Sequence, residues 1–264
     1  GRPINEINLY SSEMASALCS IDRVSASANM TNRLSEAIVE AYKETNGAPI
    51  TFTKMLEEYQ SKMADPSKDD TISSVLKQLV RANIFEEEDK ADLIGDCYII
   101  KMDGYPKDGP IAKAIVYFLI SKLNNIYEQL EKQATNDEVV QIRHFSIIDE
   151  AHYMLDFDNR PLRNLIAVGR NKGLSIILAT QNMSSFKSKG FDFYANAQYP
   201  LIMKQQTIDD KVIKDLYGVS GQELQEVRTA IAGLQKGELI IKDQMAFALG
   251  MGKKYKKINV THLI

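Results

Sequence analysis

A chain of 264 residues suits one large α/β domain, or a core domain with an inserted lobe. Apolar residues at 44% and charged residues at 25% are the balance of a globular protein, and a formal net charge of −3 excludes a generally basic nucleic-acid binder while allowing locally placed cations. Cys19 and Cys97 form no spaced motif, no run of about 18 apolar residues occurs, and the start has no signal-peptide pattern. A disulfide framework, a cysteine zinc site and a membrane association are therefore not expected, and a reducing cytoplasm is the expected compartment.

Residues 1–96 are expected to be mostly helical, an N-terminal segment followed by a small all-helical lobe. The opening Gly1-Arg2 reads as the edge of an expressed fragment or a cut within a larger protein. TNRLSEAIVEAYKET (31–45) puts Leu34, Ile38 and Ala41 on one helical face, with Thr31 as the cap. TFTKMLEEYQSKM (51–63) repeats the pattern with Met55, Leu56, Tyr59 and Met63, and DDTISSVLKQLV (69–80) with Ile72, Val75, Leu76 and Leu79. NGAP (46–49) and ADPSKDD (64–70) are turn signals between them. Tyr42, Tyr59 and Tyr127 sit at helical spacings and are expected to pack rather than to stack on bases.

A second part, 97–264, begins where the pattern changes. CYIIKMDG (97–104) predicts a strand and a turn, and residues 111–133 a long, largely buried helix. A buried strand over 144–149, a helix around 160–172 and a strand over 174–180 follow. Residues 199–204 form another short strand, and helices are predicted near 207–217 and 220–232. GELIIKD (237–243) with QMAFALG (244–250) reads as a closing hairpin, and the basic stretch 252–257 as a solvated end. Strands alternating with helices imply an α/β fold, a mostly parallel sheet with helices on both faces.

In a parallel sheet, ligands gather at the carboxyl ends of strands. The strand HFSII ends in Asp149 and Glu150. Two acids there either mark where the strand meets solvent, or serve nucleotide hydrolysis. In the second case the first holds Mg²⁺ through water and the second orients or deprotonates the attacking water. The next strand ends in Thr180-Gln181, and an amide at that tip could bond a γ-phosphate or the lytic water. Arg170 and Lys172 lie before Gly173, which should end their helix. They either complement a helix C-terminus or act on phosphate charge. Lys187 and Lys189, with Ser184 and Ser185, lie on a loop that could touch DNA phosphates, or is an ordinary polar surface loop.

Together FSIIDEAHYML (145–155), VGRNKGLSIILATQN (168–182) and LQKGELIIKD (234–243) resemble the HerA/FtsK group of P-loop motor ATPases, ring-forming proteins many of which move DNA. The resemblance implies a P-loop NTPase-type (RecA-like) sheet, ATP and Mg²⁺ as cofactors, a homo-oligomeric ring and double-stranded DNA as partner. It implies that Asp149 and Glu150 are the Walker B acids, that Asp149 with Thr180 and Lys172 serves nucleotide binding, that Gln181 is the sensor glutamine, and that Arg170 acts on a neighbour's nucleotide. Gly237 would permit a tight approach near a terminal hairpin strand. Among relatives, the HerA-like component of phosphorothioation-dependent DNA restriction is the suggested host, with other restriction subunits as partners.

One departure is large. The phosphate-cradling G-x-x-x-x-G-K-[ST] does not occur in the 264 residues. The chain is thus expected to be the C-terminal part of a longer ATPase or a degenerate relative, and to hydrolyse ATP poorly by itself. DEAH at 149–152 also suits a superfamily 2 helicase fragment, although no Q-x-x-G-R-x-x-R follows. A non-catalytic DNA-docking or oligomerisation module is a further alternative. A metal site of His144, His152, Asp156 and Asp158 is weighed against His152 as a partly buried packing residue.

Overall fold

The computed structural model describes residues 4–21, 26–84, 92–136, 139–155, 157, 159–181, 183–188 and 191–260. In chain order come helices α1 (Ile4–Ile21), α2 (Ala28–Glu44), α3 (Phe52–Ser61), α4 (Thr71–Ala82) and α5 (Pro110–Gln129). Then follow β1 (Thr135–Asn136), β2 (Val139–Val140), β3 (His144–Ile148), α6 (His152–Leu155), α7 (Arg160–Val168), a 3-10 turn Gly169–Lys172 and β4 (Leu174–Leu178). A second 3-10 turn, Met183–Phe186, leads to β5 (Lys187–Ser188), β6 (Phe191–Asp192), α8 (Phe193–Asn196), β7 (Leu201–Met203), α9 (Asp210–Tyr217), α10 (Gly221–Ala232), β8 (Glu238–Lys242), α11 (Gln244–Leu249) and β9 (Tyr255–Asn259). The chain divides into two compact units, residues 1–146 with 156–175, and residues 147–155 with 176–264.

The first unit is built on the helical lobe. Its apolar stripes meet in one cluster: Leu34 and Ile38 of α2, Met55 and Tyr59 of α3, and Ile72, Val75, Leu76 and Leu79 of α4, joined by Leu18 and Ile21 of α1 and Tyr117 of α5. Each such side chain stabilises by about 2 kcal/mol when taken from water. The caps are local. Thr51 accepts from the Lys54 amide, and Asp70 and Ser73 form a reciprocal capping box on α4. On α2 the cap is Ser27, four residues before the expected Thr31, whose hydroxyl instead donates to the Ser27 carbonyl at 3.2 Å. Serine upstream wins because its backbone is extended (φ −69°, ψ 158°), the geometry that aims an oxygen at the first free amides. Tyr59 and Tyr127 are fully buried and Tyr42 packs on the lobe cluster.

Residues 97–102 do not form the expected strand. They enter no ladder among the described residues, and Tyr98, Ile99 and Ile100 are exposed. An apolar run becomes a strand only against a partner edge that takes up its amides and carbonyls. Gly109 and Pro110 then start α5, the proline at a position where its missing N–H costs nothing.

Gly173 closes the 3-10 turn in a left-handed conformation (φ 83°). A Cβ there would sit 2.7 Å from the Gln141 carbonyl oxygen and 3.0 Å from the Arg143 nitrogen. Both the torsion and the close backbone therefore demand glycine. Gly173→Ala is expected to cost at least about 2 kcal/mol, read as a lower urea midpoint with unchanged slope.

β3 and β4 pair, and the bonds run in one sense along both: Arg143 and His144 donate to Gly173 O, Ala179 donates to Ile148 O, and Ala151 to Ala179 O. The pair is thus parallel, while the β1–β2, β5–β6 and β7–β8–β9 ladders are antiparallel. The fold is α/β with small sheets, and among the described strands a mostly parallel sheet is not laid out. Phe145 and Ile147, expected to be buried, are exposed at 56% and 70%. They share one face of β3 by strand alternation, and that face is the open one.

In the second unit, Ile202 of β7 and Ile240 of β8 pack beneath Val212, Ile213 and Leu216 of α9 and Val227 and Ile231 of α10. The expected hairpin partner QMAFALG is helix α11 instead. Asp243 caps it by accepting from Met245 and Ala246 amides, and Gly250 stops it at φ 64°. The strand that closes the ladder on β8 is β9, the basic stretch expected to be solvated. Its lysines are paired, Lys256 with Asp243 at 2.8 Å and Lys257 with Glu238 at 2.6 Å. Gly237 has a positive φ of 83°, but its added Cβ would meet nothing closer than 3.8 Å, so the torsion and not a tight approach requires it.

The Tyr217 hydroxyl is buried with no partner among the described residues, and burial pushes its pKa up. A raised folded pKa contributes full stability below the unfolded value and loses it as pH climbs toward the folded one. Unfolding free energy should thus fall by about 1.4 kcal/mol per unit above roughly pH 10 on this residue's account. Tyr217→Phe is expected to remove that component and, by deleting a stranded hydroxyl, to add about 1 kcal/mol at neutral pH.

Candidate functional site

β3 delivers its last residue, Ile148, to a tight turn of Asp149 and Glu150, after which α6 begins. Glu150 adopts a left-handed backbone, φ 51°, which is uncommon for a residue with a β-carbon and costs about 1 kcal/mol or more. The turn is pinned on both sides. The Glu150 amide donates to Asp149 Oδ1 at 2.8 Å, the Tyr153 amide donates to the Glu150 carbonyl at 3.1 Å, and the Ala151 amide bonds Ala179 O at 2.8 Å. Ala151, Met154 and Leu155 are buried and anchor the segment.

The ends of the two strands meet through side chains. Gln181 Nε2 donates to Glu150 Oε1 at 2.9 Å. His152 Nδ1 lies 3.4 Å from Glu150 Oε2 and 3.3 Å from Thr180 Oγ1. The His152 ring also stacks at a tilt on Tyr153, 4.0 Å between centroids. Glu150 and His152 keep about a quarter of their side-chain surface exposed, so the group is reachable from solvent. Asp149 and Gln181 are exposed. Asp149, Glu150, Thr180 and Gln181 thus gather at one place, as the spacing suggested, and His152 joins them. Its signal in the sequence was its position two residues past an acid that ends a strand.

Arg170 is exposed on the 3-10 turn of the first unit. Lys172 Nζ donates to the carbonyls of Tyr127 at 2.6 Å and Glu128 at 3.0 Å, a cation on the open C-terminal carbonyls of α5. Lys187 falls in β5, and Lys189 lies outside the described residues, as do Asp156 and Asp158. His144, its pKa lowered by burial, meets Ser146 Oγ at 3.1 Å. Among the described residues no three His, Cys, Asp or Glu side chains cluster as a metal cage. One carboxylate is the donor set that suits a cation whose remaining ligands are phosphate and water, and Asp149, exposed beside Glu150, offers it. No described helix is long and apolar enough to cross a membrane.

No protein-family model matches the chain, and no curated protein matches it. The solved structure of VirB4 of Thermoanaerobacter pseudethanolicus is similar, with a TM-score of 0.60 and 18% identity over 96% of this chain and 69% of that one. At this identity the likeness is one of fold.

Proposed function

We propose that this chain carries the water-activating and phosphate-sensing half of a P-loop motor ATPase. The observation that carries the reading is the 2.9 Å bond joining Glu150 to Gln181 across the ends of two paired parallel strands. The fold it shares with VirB4, a P-loop type IV secretion ATPase related to the HerA/FtsK group, supports it. Glu150 accepts the proton of the attacking water. Gln181 turns from the Glu150 carboxylate toward the γ-phosphate. Thr180, beside it, stands at the same strand end and contacts His152. Asp149 would hold Mg²⁺, and that ion would supply charge neutralisation on the phosphates. Arg170, exposed on its turn, serves a neighbouring subunit's nucleotide in a homo-oligomeric ring, and Lys172 stiffens that turn through α5.

Double-stranded DNA as the track, Lys187 and Lys189 as its contacts, and a place in a DNA restriction system have their support in the sequence resemblance. The DEAH-helicase reading draws on one observation, the contact of Thr180 with His152, but the strand ends Ala179-Thr180-Gln181 and the helicase's arginine-rich motif does not occur. The test is ATP hydrolysis, with and without duplex DNA, by the complete natural protein, whatever flanks these 264 residues. DNA-stimulated turnover that Asp149→Asn and Glu150→Gln both abolish is the expected result. Turnover indifferent to both changes would refute it. The 264 residues alone are expected to turn over ATP poorly, because no glycine-rich cradle occurs in them.

A further inference from the structure

We infer that His152 is a positioning residue for Glu150, holding the second carboxylate oxygen through Nδ1–H and therefore standing in the Nδ1-protonated tautomer. The inference rests on the reading of Glu150 as the water-activating acid.

A partly exposed glutamate has three free torsions, and a base is useful only if its oxygens stand still. Here the Gln181 amide donates to one oxygen and His152 stands within ion-pair reach of the other. Oε1 takes the Gln181 amide at 2.9 Å, and Oε2 faces His152 Nδ1 at 3.4 Å. If Gln181 leaves for a phosphate, His152 alone keeps the carboxylate in place. The glutamine is a sensor on this reading, so the histidine is the constant partner.

The tautomer follows from donor counting. An ionised carboxylate only accepts. Were Nδ1 bare, its lone pair would face that of Oε2, a repulsive contact that a Thr180 hydroxyl donating to Nδ1 would not cure. With the hydrogen on Nδ1, Oε2 and Thr180 Oγ1 both serve as acceptors at 3.4 and 3.3 Å, and nothing clashes. The ring is held for this task. Tyr153 stacks on it, and the Ala151 amide on Ala179 O fixes the backbone just before it. Free histidine prefers the opposite tautomer, with hydrogen on Nε2, so the arrangement has a signature that simple packing would not give.

The experiment is ¹⁵N NMR of the imidazoles of this chain at about pH 8.5, above the ordinary histidine range. Three histidines occur, and His152→Asn identifies the signals of His152 by their loss. The expected spectrum shows His152 mostly as the Nδ1–H form. Glu150→Ala should move it mostly to Nε2–H, and Thr180→Val should leave it unchanged. A wild-type His152 that is mostly Nε2–H overturns the proposal without any variant. So does a tautomer that flips in Thr180→Val but not in Glu150→Ala. The spectrum needs no nucleotide, so it separates this inference from the hydrolysis reading. An Nδ1–H signal alongside an inert ATPase would retain the contact and remove its catalytic purpose.

Discussion

Glu150→Gln is expected to lower ATP turnover by the complete protein about 10²- to 10⁴-fold, the usual worth of a positioned general base. That is about 3–5 kcal/mol on the barrier. The change is isosteric. A glutamine keeps a carbonyl oxygen to accept from the Gln181 amide, and it occupies the left-handed backbone at the same cost as glutamate, so the turn at 149–150 should hold. Thermal unfolding should therefore move little, within about 0.5 kcal/mol. Nucleotide affinity should also survive, because on the proposed reading groups other than Glu150 hold the phosphates and the ion. The pattern of lost kcat with retained binding is that of an interaction used in the transition state. Single-turnover hydrolysis under saturating nucleotide reads the chemical step directly. A rate within threefold of wild type would remove Glu150 from the role of base.

How much of this was legible in the sequence depended on how local each cause was. The stripes Leu34–Ile38, Met55–Tyr59 and Ile72–Leu79 predicted the lobe because helix burial repeats every three to four residues. The gathering of Glu150 with Gln181 was legible for a similar reason, since two strands ending in polar residues and joined by a helical connection place their tips together. What failed was decided at longer range or by rival local signals. The apolar run at 97–102 had strand composition but no partner edge among the described residues. QMAFALG alternates well enough for a strand, yet Asp243 before it and Gly250 after it are helix punctuation, and they prevailed. Lys256 and Lys257 are exposed, as expected of a basic stretch, but their place in a strand was not legible, because Asp243 and Glu238, which pair with them, are not their neighbours in sequence. His152 was expected as a partly buried residue after the strand and is one, but no spacing encodes which of its nitrogens faces Glu150.

A held carboxylate also matters to stability in the lobe, where Asp70→Ala is expected to cost about 3 kcal/mol of folding stability. Three helices converge on this side chain. Oδ1 accepts from the Ser73 amide at 2.9 Å and caps α4. Oδ2 accepts from the Tyr59 hydroxyl of α3 at 2.7 Å and from Arg33 Nη1 of α2 at 3.1 Å. Losing the cap costs about 1 kcal/mol. Leaving the Tyr59 hydroxyl hydrogen without its acceptor, with Arg33 Nη1 at 3.4 Å still donating to the oxygen of a residue with no exposed surface, costs a further 1–3 kcal/mol or so. The Arg33 pair adds little, because both side chains keep some solvent. Tyr59 reports the contact independently: its pKa is raised, first by burial and then by its bond to Asp70. A double-mutant cycle separates the terms. In a Tyr59→Phe background no hydroxyl is stranded, so Asp70→Ala should cost about 1–2 kcal/mol less, the coupling energy of the pair. Asp70→Asn keeps an acceptor and a cap and should cost about 1 kcal/mol. Urea unfolding followed at 222 nm gives all four corners. A loss below 1 kcal/mol for Asp70→Ala, equal in both backgrounds, would mean that the lobe is held by its apolar stripes alone.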